Sequence, residues 1–348
     1  MKRTAKSVIL DAPGQLSVRD IPVPEIAGPS HRLRLGACGI CGSDLRYLAG
    51  ENPWSMHTLG EHIPSPPNMV LGHEVSGVTE IDGRERRVAV LAYRGCGRCR
   101  ECRRGRENLC ADTQHIGHGA GWGEMDYYPG GMAEEFEVWE GFAYEIPDTV
   151  SFEEATFLDG LAVAVHACDQ AGIDEGSRVA IVGLGPIGML AAQVAGDRGA
   201  EVVTACDTTG LPVELARGLG FESTYVCSGA ALFDDASGFD AVVDTVGDIA
   251  AIEAGLASLA PGGRVVLLAA HEGTLSYNAT RICSERYVTT SANNRYADFP
   301  RAIELMSSGR VCVSSLVTHR FALDEAPGAF EIMASKDANR AYKIVLVP

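Results

Sequence analysis

The sequence has 348 residues, which at roughly 150 residues per domain predicts about two domains with room for a sizeable core. Hydrophobic residues make up 46% of the chain and charged residues 22%, a globular composition that excludes a disordered or fibrous protein. The 46 acidic side chains outnumber the 29 Lys and Arg side chains. The formal charge of −17 therefore argues against binding to nucleic acid or to an anionic membrane surface.

One uncharged run, residues 179–196, approaches the roughly 20 residues that a helix needs to cross a bilayer. Glycines and a proline interrupt this run, so we predict that it does not span a membrane. The basic start of the chain, residues 1–4, is followed only by a short apolar run, which is not the apolar region of a secretory signal. We therefore expect a soluble, cytoplasmic protein.

The first 150 residues predict an irregular, mostly β domain. Short β-rich runs alternate there with turns rich in Gly and Pro, at residues 12–14, 22–29 and 64–67. Most of the candidate metal ligands described below fall in this region.

Four of the eleven cysteines, Cys96, Cys99, Cys102 and Cys110, fall within fifteen residues. In a reducing compartment such a cluster is more typical of a metal site than of disulfides. Four thiolates on one loop can close tetrahedrally around zinc and leave no position for substrate, so we predict a structural zinc site. Arginines at positions 98, 100, 103 and 104 would favour the thiolate forms. An iron–sulfur cluster and four reduced free thiols are the alternatives.

From about Leu158 onward, short β-rich runs alternate with helical patterns. The predicted strands are residues 178–182, 201–206, 241–244 and 264–269, and the predicted helices are residues 187–198, residues 211–219 and a helix that begins after Asp248. Repeated βα units of this length imply an α/β fold with a parallel, doubly wound sheet. The chain ends in a further strand-like segment, residues 343–347.

A glycine-rich turn lies between the first predicted strand of this half and its helix. Its sequence, Gly183-Leu184-Gly185-Pro186-Ile187-Gly188, has the spacing G-x-G-x-x-G. The first glycine permits the tight turn, the second lets the backbone approach a pyrophosphate, and the third lets helix and strand pack closely. The free N–H groups of the helix N-terminus then face the anion, so we predict a dinucleotide site. A turn without a ligand is the alternative.

The predicted cofactor is NAD. Asp207, nineteen positions beyond Gly188, follows the second strand, where a carboxylate accepts hydrogen bonds from a ribose and repels a 2′-phosphate. The following residues, 208–212, contain no Arg or Lys that would neutralise such a phosphate.

Two further segments, residues 39–44 and 72–74, carry Cys41, His73 and Glu74. Each segment is unremarkable alone, because a lone Cys is usually a buried core residue and a His-Glu pair usually lies on the surface by chance. Next to a dinucleotide turn and a four-cysteine loop, they predict a mixed thiolate, imidazole and carboxylate site. Three protein ligands and one open position are the arrangement that a catalytic zinc requires.

With these segments in this order, the chain resembles the zinc-dependent medium-chain dehydrogenases over nearly its whole length, nearest to their polyol (sorbitol-type) and threonine dehydrogenase branch. The resemblance implies a GroES-like, mostly β catalytic domain at residues 1–155 and 295–348. It also implies a Rossmann NAD-binding domain at residues 156–294.

The resemblance further implies Cys41, His73 and Glu74 as catalytic-zinc positions. Asp159 stands where this branch has a Glu near the metal, and Gly160 stands where it has a Pro. Asp is one methylene shorter than Glu, so we expect Asp159 to reach the zinc through water rather than directly.

Four neighbouring residues match or depart from the family's proton path and substrate side. Ser43 matches the hydroxyl that passes the substrate proton outward, and Asp44 matches the carboxylate that orients the ligating His. Tyr47 matches a substrate-side aromatic residue of the polyol enzymes. Arg46 stands where relatives often carry a relay His, so the proton must leave by another route.

Two loops are candidate rims of the substrate site. Their notable side chains are Trp54, Met56 and His57 in residues 50–64, and Trp122, Tyr127 and Tyr128 in residues 117–131. Packing of the same side chains against their own loops is the alternative. We interpret His166 as a core or cofactor-packing residue.

The sequence thus predicts an NAD-dependent alcohol dehydrogenase with one catalytic and one structural zinc per chain. The expected substrate is a secondary alcohol of a polyol, sugar or cyclitol, and the expected assembly is a homo-oligomer, a dimer or tetramer. The alternatives are an L-threonine or amino-alcohol dehydrogenase, and a zinc-stabilised nucleotide-binding protein without turnover.

Overall fold

A computed structural model describes residues 3–119, 121–234, 237–269, 273–276 and 278–348, without the side chains of residues 57 and 281. The side chain of His57, one of the candidate rim residues, therefore lies outside the described part. The chain divides into two compact units. The first comprises Met1–Asp159, Arg295–Ser307 and Val313–Pro348, and the second comprises Gly160–Asn294 and Ser308–Cys312.

The first unit is mostly β, as the sequence predicts. Its strands are β1 (Thr4–Ala12), β2 (Gln15–Pro22), β3 (Ser30–Gly39), β4 (Met69–Val70), β5 (Glu74–Ile81), β6 (Arg84–Val90), β7 (Tyr93–Arg94), β8 (Gln114–His115), β9 (Glu135–Trp139) and β10 (Ala143–Glu145). Its first helices are α1 (Gly42–Leu48) and α2 (Phe152–Ala155), and helix α3 (Leu158–Ala171) begins at its boundary.

The second unit alternates strands and helices. After α3 come β11 (Arg178–Val182), α4 (Pro186–Asp197), β12 (Val202–Asp207), α5 (Gly210–Gly218), β13 (Thr224–Val226), β14 (Phe239–Asp244), α6 (Ile249–Ser258), β15 (Leu259–Leu267) and β16 (Tyr287–Thr290). The chain then returns to the first unit with α7 (Asp298–Ser307), β17 (Val317–Ala322), α8 (Ala326–Ala334), α9 (Lys336–Asn339) and β18 (Lys343–Val347).

The main sheet of the first unit has the order β10-β6-β5-β3-β18-β17, and β9 also pairs with β3. Its pairs are antiparallel except for β17 and β18. Gly39, at the end of β3, lies opposite Glu74 of β5 on one side and opposite Val345 of β18 on the other. This register brings the start of β5 and the start of the C-terminal strand to the same end of the sheet.

The sheet of the second unit is parallel, with the order β13-β12-β11-β14-β15-β16. This is the strand order 3-2-1-4-5-6 of doubly wound dinucleotide-binding sheets, so the predicted α/β fold is confirmed. Asp248 is the N-cap of α6, as predicted. Its side chain accepts a hydrogen bond from the Ala250 N–H at 3.2 Å.

The uncharged run at residues 179–196 divides between a strand and a helix. Its first residues belong to β11, and its last residues belong to α4. Within the described part of the chain, no helix combines the length and the hydropathy that a bilayer span requires.

Candidate active site and metal centres

The donor atoms of Cys41, His73 and Glu74 lie within 4.8 Å of one another. The β3–β5 pairing explains this grouping. Cys41 follows the end of β3 and precedes α1, whereas His73 and Glu74 stand at the start of the antiparallel neighbour β5. The sheet thus closes a gap of more than thirty residues between the first ligand and the other two.

This donor set fits zinc. It combines one thiolate, one imidazole and one carboxylate, which are the three ligand types that zinc binds in proteins. His73 and Glu74 are both 5% exposed, and a buried carboxylate such as that of Glu74 needs positive charge nearby. Burial lowers the pKa of His73, but the charges of Cys41, Asp44 and Asp159 raise it well above its usual range. The pocket is therefore one that attracts a cation.

Asp44 is fully buried on α1 and holds the chain at Cys41. Its Oδ2 accepts a hydrogen bond from the Cys41 N–H at 2.8 Å. Its Oδ1 faces His73 Nδ1 at 3.8 Å, which is too long for a hydrogen bond. Burial raises the pKa of Asp44, against the effects of His73 and of the Cys41 backbone. Asp44 thus stands behind the ligating imidazole, where a carboxylate can orient it.

The residues of the predicted proton path lie at different depths on α1. Ser43 Oγ is buried and has no hydrogen-bond partner among the described residues. Tyr47 is 1% exposed, and burial raises the pKa of its hydroxyl. Arg46 instead points outward and pairs with Glu51, Nε to Oε2, at 2.6 Å.

Asp159 stands apart from the three grouped donors. Among the described residues, the set within 4.8 Å contains Cys41, His73 and Glu74 but not Asp159. Asp159 is nevertheless close enough that its charge raises the pKa of His73. Burial raises the pKa of Asp159 itself to about 6, and Glu74 adds to the rise. Asp159 therefore lies near the three grouped donors without belonging to them.

The structure brings two further histidines to this site that the sequence analysis did not single out. The rings of His115 and His118 stack with centroids 3.9 Å apart, and the His118 ring lies 4.8 Å from that of His73 and 4.9 Å from that of Tyr47. Burial lowers the pKa of His115 to about 3, so this imidazole is neutral. The sequence feature that could have identified these two residues is the spacing His-Ile-Gly-His, which follows shortly after the cysteine loop.

The aromatic side chains of residues 117–131 contact their own loop and neighbouring segments. Trp122 stacks on Trp139 with ring centroids 5.4 Å apart. Its Nε1–H lies 2.9 Å from the carbonyl of His115 and 3.1 Å from that of His118. Tyr128 donates its hydroxyl hydrogen to the Gly123 carbonyl at 3.0 Å. His118 of the same loop instead contacts the ring of His73, one of the three grouped donors.

The other candidate rim, residues 50–64, lies close to Tyr47, and His166 is buried. Residues 50–64 contain a short π-helical turn at Ser55–Leu59, and Trp54 and Met56 are half-buried. Asn52 Oδ1 in this loop lies 3.5 Å from the Tyr47 hydroxyl, so the loop approaches Tyr47. His166 is 3% exposed on α3, in agreement with a packing role.

The sulfur atoms of Cys96, Cys99, Cys102 and Cys110 also lie within 4.8 Å of one another. The loop folds around them through N–H···S contacts, for example from Cys96 N to Cys110 Sγ at 3.3 Å and from Cys99 N to Cys96 Sγ at 3.4 Å. Backbone hydrogen bonds from Arg98 and Cys99 lower the pKa of the Cys96 thiol to about 7. Four sulfurs in this arrangement fit a closed tetrahedral zinc site.

The turn from Gly183 to Gly188 fits a dinucleotide. Gly183 has φ +88°, which favours glycine, and a Cβ there would lie 2.5 Å from Thr245 Oγ1. A Cβ on Gly188 would lie 1.9 Å from the Gly183 carbonyl oxygen, so the turn and α4 can pack only around a glycine. By contrast, a Cβ on Gly185 would meet nothing within 4 Å. The space over Gly185, at the start of α4, is thus open to a pyrophosphate.

The predicted cofactor-selecting carboxylate lies beside this turn. Asp207 ends β12, and its Oδ2 accepts a hydrogen bond from the Leu184 N–H at 3.0 Å. Its Oδ1 accepts from the backbone and the hydroxyl of Thr209, both at 3.0 Å. These bonds fix the carboxylate at the end of the strand. Pro186 and Ile187 occupy the first turn of α4.

Comparisons with known proteins agree with this arrangement. The profile of the family described as "Alcohol dehydrogenase GroES-like domain" matches residues 30–148, and that of "Zinc-binding dehydrogenase" matches residues 186–308. Sorbitol dehydrogenase of Bacillus subtilis is 28% identical to this chain, over 99% of the chain and 97% of the relative. D-xylulose reductase A of Aspergillus niger is 30% identical, over 93% of the chain and 92% of the relative.

Solved structures give the same result for the whole chain. A zinc-binding dehydrogenase of Sinorhizobium meliloti, solved with NADP, superposes with a TM-score of 0.86 at 29% identity and covers 99% of this chain and 100% of its own. Alcohol dehydrogenase of Thermus sp. ATN1 superposes with a TM-score of 0.84 at 27% identity, over 98% of this chain and 99% of its own. The chain therefore belongs to the zinc-dependent medium-chain polyol dehydrogenases.

Proposed function

We propose that this protein transfers a hydride from a secondary alcohol of a polyol, sugar or cyclitol to NAD at a zinc held by Cys41, His73 and Glu74. The observation that carries this proposal is the convergence of these three donors, from separate segments of the chain, within 4.8 Å. Relatives named for sorbitol and D-xylulose support a polyol as the substrate.

The protein groups around the metal have separate tasks. When bound, zinc supplies Lewis acidity that lowers the pKa of a substrate hydroxyl, and NAD supplies the hydride acceptor. Ser43 Oγ, which is buried without a partner among the described residues, would accept the proton from that hydroxyl as it passes its own hydrogen on to water. Asp44 stands behind His73 and opposes rotation of the imidazole. Asp159, whose pKa is raised to about 6, would hold a water next to the three donors.

The tyrosine and histidine rings next to the donors form the substrate side of the site. Tyr47 and His118 contact each other, and His118 also contacts the ring of His73. A polyol presents several hydroxyl groups, and polar rings at this distance are suited to accept or donate hydrogen bonds to the hydroxyls that are not oxidised.

The proposal extends to the division of labour between the two parts of the chain. Residues 1–155 and 295–348 form the catalytic zinc-binding domain, and residues 156–294 bind NAD, a division supported by the donors and the glycine turn that each part contains. Cys96, Cys99, Cys102 and Cys110 hold the structural zinc. A homo-oligomer, a dimer or tetramer, and a cytoplasmic location belong to the same proposal. All eleven cysteines are free of disulfides, as a reducing compartment would favour.

A substrate panel tests the proposed reaction. The zinc-loaded protein is mixed with NAD and with sorbitol, xylitol, a cyclitol, L-threonine or ethanol, and NADH formation is followed by absorbance. We expect at least one of the polyol or cyclitol substrates to exceed ethanol in kcat/KM by about tenfold or more. Turnover of L-threonine alone would identify an amino-alcohol dehydrogenase. NAD binding without any turnover would identify a nucleotide-binding protein.

The preference for NAD is tested at Asp207. A variant that combines Asp207→Ser with Thr208→Arg removes the carboxylate and adds a phosphate partner, so we expect the ratio of kcat/KM for NADP to that for NAD to rise about a hundredfold. Thr208→Arg alone, which keeps the carboxylate, is the matched control and is expected to shift the ratio less. A wild-type protein that already prefers NADP would contradict this assignment.

A further inference from the structure

A buried lysine lies at the start of the C-terminal strand β18. Lys343 is 1% exposed and is among the largest fully buried side chains of the chain. An ammonium group in the interior costs free energy unless a charge and hydrogen bonds compensate it. A group that compensates the charge of Lys343 must therefore lie next to it.

The partner of this lysine is one of the three grouped metal donors. Lys343 Nζ donates a hydrogen bond to Glu74 Oε2. The two residues lie on the strands that flank β3, over Gly39. A Cβ on Gly39 would lie 2.5 Å from Glu74 Oε2 and 2.8 Å from Lys343 Nζ. The ion pair thus occupies the space that this glycine leaves open.

The remaining neighbours of Lys343 are mostly anionic. Lys343 forms an ion pair with Glu74, and its further charged neighbours are the acidic groups Cys41 and Asp44. Lys343 in turn lowers the pKa of Asp159, and its Nζ lies 5.2 Å from the centre of the Phe157 ring. Lys343 is therefore a fixed positive charge next to the proposed metal ligands.

We propose that Lys343 is a positioning residue that holds one oxygen of Glu74 and thereby limits how strongly this carboxylate binds the metal. The inference rests on the proposed function, since it takes Cys41, His73 and Glu74 as the metal ligands. One oxygen of Glu74 is committed to Lys343, which leaves the other to the metal. The lysine and the metal then compete for the same negative charge.

The competition predicts the sign of the change in zinc affinity when the charge of Lys343 is removed. An ammonium that shares the carboxylate reduces the charge available to the metal and also repels a divalent cation directly. Removal of the positive charge should therefore tighten zinc binding at this site. A residue that only fills space would act differently, because its removal would destabilise the protein to the same extent with and without metal.

The experiment compares three substitutions in the full chain. Lys343→Met removes both the charge and the donor, Lys343→Gln removes the charge but keeps an uncharged N–H donor, and Lys343→Arg keeps the charge. Zinc affinity is measured by competition with a chelator, and Cys41→Ser reports the four-cysteine site alone. We expect about tenfold tighter zinc binding at the three-donor site in the Met and Gln variants, because the repulsion between the ammonium and the divalent cation is removed. We expect a value close to wild type for Lys343→Arg.

Two further readouts are independent of activity. The rise in Tm on zinc binding should be larger in the two neutral variants than in wild type, because the metal replaces the lost counter-charge of Glu74. In cobalt-substituted protein, the absorption bands of the three-donor site should change in the neutral variants and stay at the wild-type position in Lys343→Arg.

The opposite outcomes would overturn the inference. These are an unchanged or weaker zinc affinity in both neutral variants, an equal fall in Tm with and without zinc, or unfolding of both neutral variants even with zinc present. A wild-type chain that keeps only the zinc of the four-cysteine loop would instead contradict the proposed function. The two failures are therefore distinguishable.

Discussion

The two proposed metal-binding regions of this chain are built in different ways. The four cysteines lie on one loop of fifteen residues, and backbone N–H groups of the same loop point at their sulfurs. Cys41, His73 and Glu74 come from separate segments, and the pairing of β3 with β5 brings them together. The ligand types differ as well, since four thiolates close a site and a mixed set of three leaves a position open.

This difference predicts different consequences of losing each metal. A closed site within one loop contributes folding free energy and contacts no substrate, so its loss should appear first as instability. An open site on a sheet that is already paired contributes chemistry, so its loss should appear first as inactivity. Four substitutions test whether the two regions separate in this way, and their effects should decrease in the order given.

Cys41→Ser should have the largest effect. We expect kcat/KM to fall by about a thousandfold or more, because the variant loses the metal that stabilises the alkoxide, a contribution of several kcal/mol. Metal analysis should show one zinc per chain where wild type has two, while NAD binding and Tm change little. Wild-type activity in this variant would contradict the assignment of the catalytic ligands.

Cys99→Ser should act mainly on stability. Loss of one of four thiolates opens the closed site, and we expect Tm to fall by about 5 °C or more. Metal analysis should again show the loss of one zinc. At a temperature where the variant is folded, kcat should stay within a few-fold of wild type. A loss of activity as large as that of Cys41→Ser, without a fall in Tm, would show that the two regions are not separate.

Asp159→Ala tests whether Asp159 binds the metal of the three-donor site directly or through water. If Asp159 acts through water, the three remaining donors still hold the metal, and we expect about a tenfold lower kcat with zinc retained after dialysis. Asp159→Glu is the matched control, because it restores the carboxylate with one more methylene. Loss of zinc from the Ala variant and its recovery in the Glu variant would show direct ligation instead.

Arg98→Ala should have the smallest effect. Arg98 pairs with Asp112 at 2.7 Å, but the two side chains are 80% and 59% exposed, and exposed ion pairs contribute little. Because the thiolates also receive backbone N–H groups, we expect the zinc content to be unchanged and Tm to move by no more than about 2 °C. Loss of the structural zinc would show that the arginines, and not the backbone N–H groups, stabilise the thiolate forms of the cysteines.

The sequence by itself determined the features that depend on neighbours along the chain. The glycines at 183, 185 and 188 follow from the backbone needs of one turn, and the strand and helix on either side lie within a residue of their predicted ends. The cysteine loop is of the same kind, because its four ligands and the N–H groups that contact them belong to one short segment.

Ligands from separate segments were assigned from the order of motifs and the resemblance that it carries. Periodicity and turn chemistry do not report which strands pair. The structure adds the reason for the grouping, namely that Gly39 on β3 lies opposite Glu74 on β5.

Only the tertiary structure decided which additional residues surround the open site. Lys343 reads in the sequence as the first residue of a terminal strand, and a lysine there is ordinarily solvated. Its burial against Glu74 follows from the placement of β18 beside β3, a contact between residues 269 positions apart. The approach of His118 to His73 and Tyr47 likewise depends on how one loop folds over another segment. Such contacts are long-range because packing, and not local conformation, selects them.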